Sequence, residues 1–130
     1  MRVVFDTNIF VSAFVIPGSF AEKAILRIID GIDTLVLSKD ILDELLSILS
    51  VKFSREREEI SRVAVLLSDL SEWVTPDTRL DILQDNTDNR ILECAIDGRA
   101  DVIVTGDKSM LELREYGGVK IISLKKYLEL

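Results

Sequence analysis

Apolar residues in this chain follow two alternating rhythms. Val3-Val4-Phe5, Thr34 to Leu37 and Val102-Ile103-Val104 are short runs dominated by β-branched and other apolar side chains. Such runs read as strands buried on both faces. Between them, apolar positions recur at helical spacing. Ala21, Ala24, Ile25, Ile28 and Ile29 mark a helix from Ser19 through Asp30, closed by Gly31. Ile41, Leu42, Leu45, Ile48 and Leu49 mark a second, capped by Ser38, and Ile60, Val63, Ala64, Leu67 and Leu70 a third. Residues 8–15 begin a further helix, with Pro17-Gly18 as punctuation, and 52–59 are a solvated stretch. Trp73-Val74-Thr75 reads as a brief strand closed by Pro76, with Trp73 packing at the sheet's edge. Residues 77–88 read as an Asp-rich loop, followed by a helix from Asn89 to about Asp97 that ends at Gly98. A short helix over 108–115, a Gly117-Gly118 turn, a strand over 119–122 and a helical turn over 124–128 complete the chain. Five strands alternating with helices predict an α/β fold. It is a single domain over 1–130, with a central, mainly parallel sheet of about five strands and helices on both faces.

Composition narrows the function. The 130 residues are 48% hydrophobic and 30% charged, which excludes a disordered chain or a scaffold held by disulfides. A formal charge of -7 is wrong for a simple coater of duplex DNA. The absence of histidine removes every scheme with an imidazole base or ligand. The single cysteine, Cys94, reads as a buried small apolar residue. Asp6 interrupts the first apolar run too early for a signal peptide, and no stretch approaches 18 apolar residues. The expectation is a cytoplasmic protein with no membrane association.

Candidate chemistry comes from carboxylates. In right-handed βα units, strand C-termini and helix N-termini share one edge of the sheet, where ligands bind. Asp6 follows the first strand and Asp107 follows Val104 by three residues. Glu44 lies early in the helix after the second strand, and Asp88 begins the helix feeding the fourth. All four map to that edge. Each aspartate also suits a helix N-cap, and by spacing alone Asp43 or Asp40 would serve as well as Glu44. Four carboxylates together call for a compensating charge, and Mg²⁺ or Mn²⁺ prefers oxygen ligands. Such ions activate water without an imidazole, and a pair ~4 Å apart can assist phosphodiester cleavage. Asn8 and Thr105 are supporting polar candidates, and Lys39, Arg90 and Lys108 adjoin the edge as candidate phosphate contacts.

The ordered set Val-Val-Phe-Asp6-Thr7-Asn8, Ser38 to Leu45 with Glu44, Asp88-Asn89-Arg90-Ile91-Leu92-Glu93-Cys94-Ala95 and Ala100-Asp101-Val102-Ile103-Val104-Thr105-Gly106-Asp107 resembles the PIN domain family. These are metal-dependent ribonucleases that include the VapC-like toxins of toxin–antitoxin modules. The resemblance covers essentially the whole chain. It implies that Asp6, Glu44, Asp88 and Asp107 form a catalytic, metal-holding quartet, and it favours Glu44 over Asp43. It further implies Mg²⁺ or Mn²⁺, cleavage of single-stranded RNA, an antitoxin partner and a homodimer. Many relatives carry another acid two positions after the Thr-Gly-Asp acid; here that position is Ser109, and Asp85 is a candidate substitute. Two alternatives compete: an aspartyl-phosphate enzyme or receiver built on Asp6, and a non-catalytic module whose acidic groove binds a partner's arginine or RNA.

Overall fold

The computed structural model describes residues 1–130. The elements are β1 (Arg2–Phe5), α1 (Thr7–Val15), α2 (Phe20–Ile29), β2 (Thr34–Ser38), α3 (Lys39–Val51), α4 (Arg57–Leu70), β3 (Ser71–Val74), α5 (Asn86–Asp97), β4 (Val102–Val104), α6 (Lys108–Leu113), β5 (Glu115–Tyr116), β6 (Val119–Ile122) and α7 (Leu124–Leu128). They form one sheet in the order β3-β2-β1-β4-β6-β5, parallel except for β5. No single helix is long and apolar enough to cross a membrane.

Burial explains the unbroken apolar runs. Val3, Val4 and Phe5 are all fully buried although successive side chains point to opposite faces. Both faces of β1 are therefore covered. Phe5 packs on Phe10 of α1 and Tyr127 of α7, with ring centroids 5.7 and 5.6 Å away. On the other face, Val36, beside Val4 in the register, lies under the end of α5 at Gly98.

The order places a switch point between β1 and β4. From β1 the chain moves outward to β2 and β3; from β4 it moves the other way to β6. The helices leaving two adjacent strands on opposite courses leave a crevice at the strands' C-terminal ends. The register Phe5↔Val104 brings Asp6 and Thr105, the next residues, side by side in that crevice.

Two sequence expectations need correction. The sheet has six strands, not five, because the helix expected over 108–115 stops at Leu113. Arg114 takes a left-handed conformation (φ 61°), which breaks the helix, and Glu115-Tyr116 pairs back on β6 around Gly117-Gly118. The helix expected to begin at Asn89 starts one turn earlier at Asn86, capped by Asp85, whose carboxylate accepts the Thr87 N–H. Trp73 does sit on edge strand β3, 44% exposed, its indole N–H donating to the Ser68 carbonyl.

Gly98 closes α5 with an ordinary φ of -83°, so its small size rather than a left-handed turn is what the fold uses. A Cβ there would lie 2.5 Å from Val36 Cγ1 and 2.6 Å from the Cys94 carbonyl oxygen. Gly98→Ala is expected to lower unfolding stability by ~1–3 kcal/mol through overpacking, read as a shifted urea midpoint at unchanged slope.

Candidate functional site at the sheet switch point

Five carboxylates are delivered to the crevice by four helices. Asp6 caps α1, accepting the Asn8 N–H at 3.3 Å, and Asp107 caps α6, accepting the Met110 N–H at 3.0 Å. Asp85 caps α5, and Asp88 occupies its first turn. Capping and site roles therefore coincide, since each capping carboxylate turns toward the positive end of a helix. Glu44, half-buried on α3, reaches the group through Thr7, whose hydroxyl donates to Oε2 at 3.1 Å. Asp43 is exposed and pairs with Lys39 at 2.6 Å, and Asp40 is exposed too; of the three, Glu44 is the one hydrogen-bonded to Thr7, beside Asp6.

A relay joins β4 to β1. The Thr105 hydroxyl, fully buried, donates to Asp6 Oδ2 at 2.6 Å and accepts the Asp107 N–H at 2.9 Å. Asp6 is 4% exposed, so its position is set on both oxygens by donors from α1 and β4. Asp88 accepts no hydrogen bond and is 7% exposed. Asp85, Asp88 and Asp107, with Leu83, Gln84 and Ser109, line a cavity of about 270 Å³. A larger cavity of about 720 Å³ between α2 and α7 has one carboxylate, Glu129, and none of the candidate residues.

Electrostatics follow from this placement. Burial, then the carboxylates of Asp107, Asp6, Asp85 and Glu44, push the Asp88 carboxyl up to about 7. Burial also raises Asp6, against the Thr105 hydroxyl and the Asn8 N–H, with Asp107 and Asp85 adding repulsion. Glu44 rises for the same first reason, with Thr7 opposing. Hard oxygen donors with uncompensated negative charge suit a hard divalent cation. The ligand set is not drawn together, however: no three of these carboxylates are close enough, as placed, to ligate one ion jointly.

The remaining candidates divide. Asn8 is exposed and reaches Asp6 through its backbone N–H. Lys108 is exposed beside Asp107, and Lys39 is exposed but tied to Asp43. Arg90 is committed elsewhere: it donates to the Leu80 carbonyl at 2.9 Å and lies 2.9 Å from Glu93. The Glu93 approach is off the Nε–H axis, so it is an ion pair rather than a hydrogen bond. Cys94 is fully buried and inert, its thiol pushed up to about 12 by burial. The sequence reading missed Thr7, for which adjacency to Asp6 was the only signal. It also missed Asn89 and Glu93, buried polar residues four apart on an otherwise apolar helix side.

A doubly wound α/β domain with a carboxylate cluster at its switch point is the class these features define. The family model described as "PIN domain" matches residues 2–109, and the chain belongs to that family. An uncharacterized protein of Methanocaldococcus jannaschii is 29% identical over 119 residues, covering 88% of this chain and 76% of that protein. The fold is similar to a chain of VapBC2 from Rickettsia felis, solved bound to a DNA fragment from their promoter. The TM-score is 0.67 at 21% identity, over 95% of this chain and 98% of that one. It is similar also to a chain of VapBC-1 from nontypeable Haemophilus influenzae, with a TM-score of 0.65 at 17% identity, over 96% and 99% of the two chains.

The raised Asp88 carboxyl has a defined stability sign. Between about 4 and about 7 the folded state holds a proton the unfolded chain has released, so this group withdraws stability progressively across that interval, and the loss is complete above about 7. In EDTA at pH 8, Asp88→Asn is expected to melt several degrees above wild type, a gain of ~1–3 kcal/mol. The difference should shrink towards pH 5. A variant no more stable at pH 8 than at pH 5, relative to wild type, would contradict this electrostatic picture.

Proposed function

We propose that this protein is a divalent-cation-dependent endoribonuclease that hydrolyses phosphodiester bonds in single-stranded RNA. We further propose that it is the toxin of a toxin–antitoxin pair. Membership of the PIN domain family supports a nuclease, and the fold shared with the two VapBC chains supports the antitoxin partner. The observation that carries the reading is the meeting of Asp6, Glu44, Asp88 and Asp107 at the switch point. Those four residues would hold Mg²⁺ or Mn²⁺ only on closing in from the spread described above. When bound, the cation offsets their charge and lowers the pKa of a coordinated water.

The chain's own residues supply the frame. Thr105 and Thr7 fix Asp6 and Glu44 by hydroxyl donation. Lys108, free of any ion pair beside Asp107, is placed to meet an RNA phosphate. We also propose that the protein acts in the cytoplasm and as a homodimer. A second reading draws on the three carboxylates lining the cavity, which suit a partner's guanidinium through bidentate pairing. It is compatible with the first if an antitoxin arginine inhibits by filling the site. Family membership weighs against the aspartyl-phosphate alternative.

Single-stranded RNA incubated with Mn²⁺ is expected to be cut by the wild-type protein, to be spared in EDTA, and to be cut at least ~100-fold more slowly by Asp6→Asn. Equal cleavage by wild type and Asp6→Asn would reject the assignment.

A further inference from the structure

The segment 77–83 runs back along α5 and is held there by three side chains of that helix, Asn89, Glu93 and Asp97. Asp97 accepts the Asp77 N–H at 2.7 Å, and the Thr78 N–H and hydroxyl at 2.9 and 2.6 Å. Glu93, 1% exposed, accepts the Leu80 N–H at 2.6 Å. Asn89, 0% exposed, accepts the N–H groups of Ile82 and Leu83 at 3.2 and 2.9 Å and donates to the Leu83 carbonyl at 2.9 Å. The spacing has a geometric basis. Four helical residues advance ~6 Å and two extended residues ~6.6 Å, so every fourth side chain of the helix meets every second amide of the segment.

The ladder ends beside the carboxylate cavity. Leu83 and Gln84, the residue after it, line that cavity, and Asp85 follows as a third wall. Asn89 adjoins Asp88 in sequence and grips Leu83 by both its N–H and its carbonyl. One side chain thus ties the segment bearing Asp85 to the helical turn bearing Asp88. Leu80 and Leu83 also pack on the core, but apolar contact is tolerant of sliding, whereas paired donors and acceptors specify one register. Burying a carboxamide costs free energy unless its partners are in place, so this is a costly way merely to cover a helix.

We propose that Asn89 is a positioning residue for the cation- and RNA-binding site, fixing through the segment 77–83 where Asp85 and the cavity wall stand relative to Asp88. This rests on the nuclease reading above. It is tested in the full-length chain with Asn89→Ala and Asn89→Asp, the latter keeping the accepting oxygen for the two amides but losing the donor to the Leu83 carbonyl. In metal-free protein, hydrogen exchange at the Ile82 and Leu83 amides is expected to rise at least ~10-fold in Asn89→Ala and by distinctly less in Asn89→Asp, with β1 and β4 amides unchanged in both. Calorimetric uptake of Mn²⁺ alone is expected to weaken ~10-fold in Asn89→Ala. If the alanine variant does not fold, Asn89→Ser, whose hydroxyl is too short to span both amides, is read identically.

Unchanged exchange in Asn89→Ala, or equal exchange in the alanine and aspartate variants, would overturn the clamp. Freed amides with Mn²⁺ uptake equal to wild type would overturn the positioning role while leaving the nuclease reading intact. No Mn²⁺ uptake by wild type would reject that reading, and this inference with it.

Discussion

The parallel pairing of β1 with β4 is the contact on which the rest of the structure depends. Its register sets Phe5 against Val104, and one residue further on it sets Asp6 against Thr105. Because the two strands send their chains to opposite sides of the sheet, a crevice forms at their ends. Asp6 and Thr105 are buried there and fixed by the strand ladder, and Asp85, Asp88 and Asp107 line a cavity. A slip of one residue would turn Asp6 away from Thr105 and exchange the faces on which Val4 and Phe5 pack.

The carboxylates gathered there oppose folding. Asp88 is held at a raised pKa by burial and by its neighbours' charge. Part of that cost is offset locally: Asp6, Asp85 and Asp107 each cap a helix, and Thr105 and Thr7 donate to Asp6 and Glu44. The arrangement trades stability for a concentrated negative site, a pattern common where buried titratable groups serve binding or chemistry.

Helix α5 organises both halves of the problem. Its apolar side, with Ile91, Leu92, Cys94 and Ala95, is buried against the sheet and α3. Its first turn carries Asp88, and its polar ladder holds the segment that ends in Asp85. Glu93 also draws in Arg79 and Arg90, so the one cation nearest in sequence to Asp88 is spent on the segment rather than on the site.

The α/β class, the parallel sheet, most strand positions and the placement of Asp6, Glu44, Asp88 and Asp107 towards one edge of the sheet were legible in the sequence. Each is a matter of local periodicity or of the rule that strand C-termini share an edge. Leu35 to Leu37 and Val102 to Val104 carry their burial in composition, because a strand covered on both faces has no polar alternation. What only the tertiary structure decided was pairing. Nothing local chooses Glu44 over Asp43; Thr7, 37 residues away, does so by one hydrogen bond. Nothing local places Arg90 on Leu80 or shows that the cap Asp85 lines the same cavity as Asp88 three positions later. The short β5 strand exists because β6 offers an open edge, not because Glu-Tyr favours one. Periodicity records which face a residue turns inward; only the folded chain, by closing long loops, determines what it meets there.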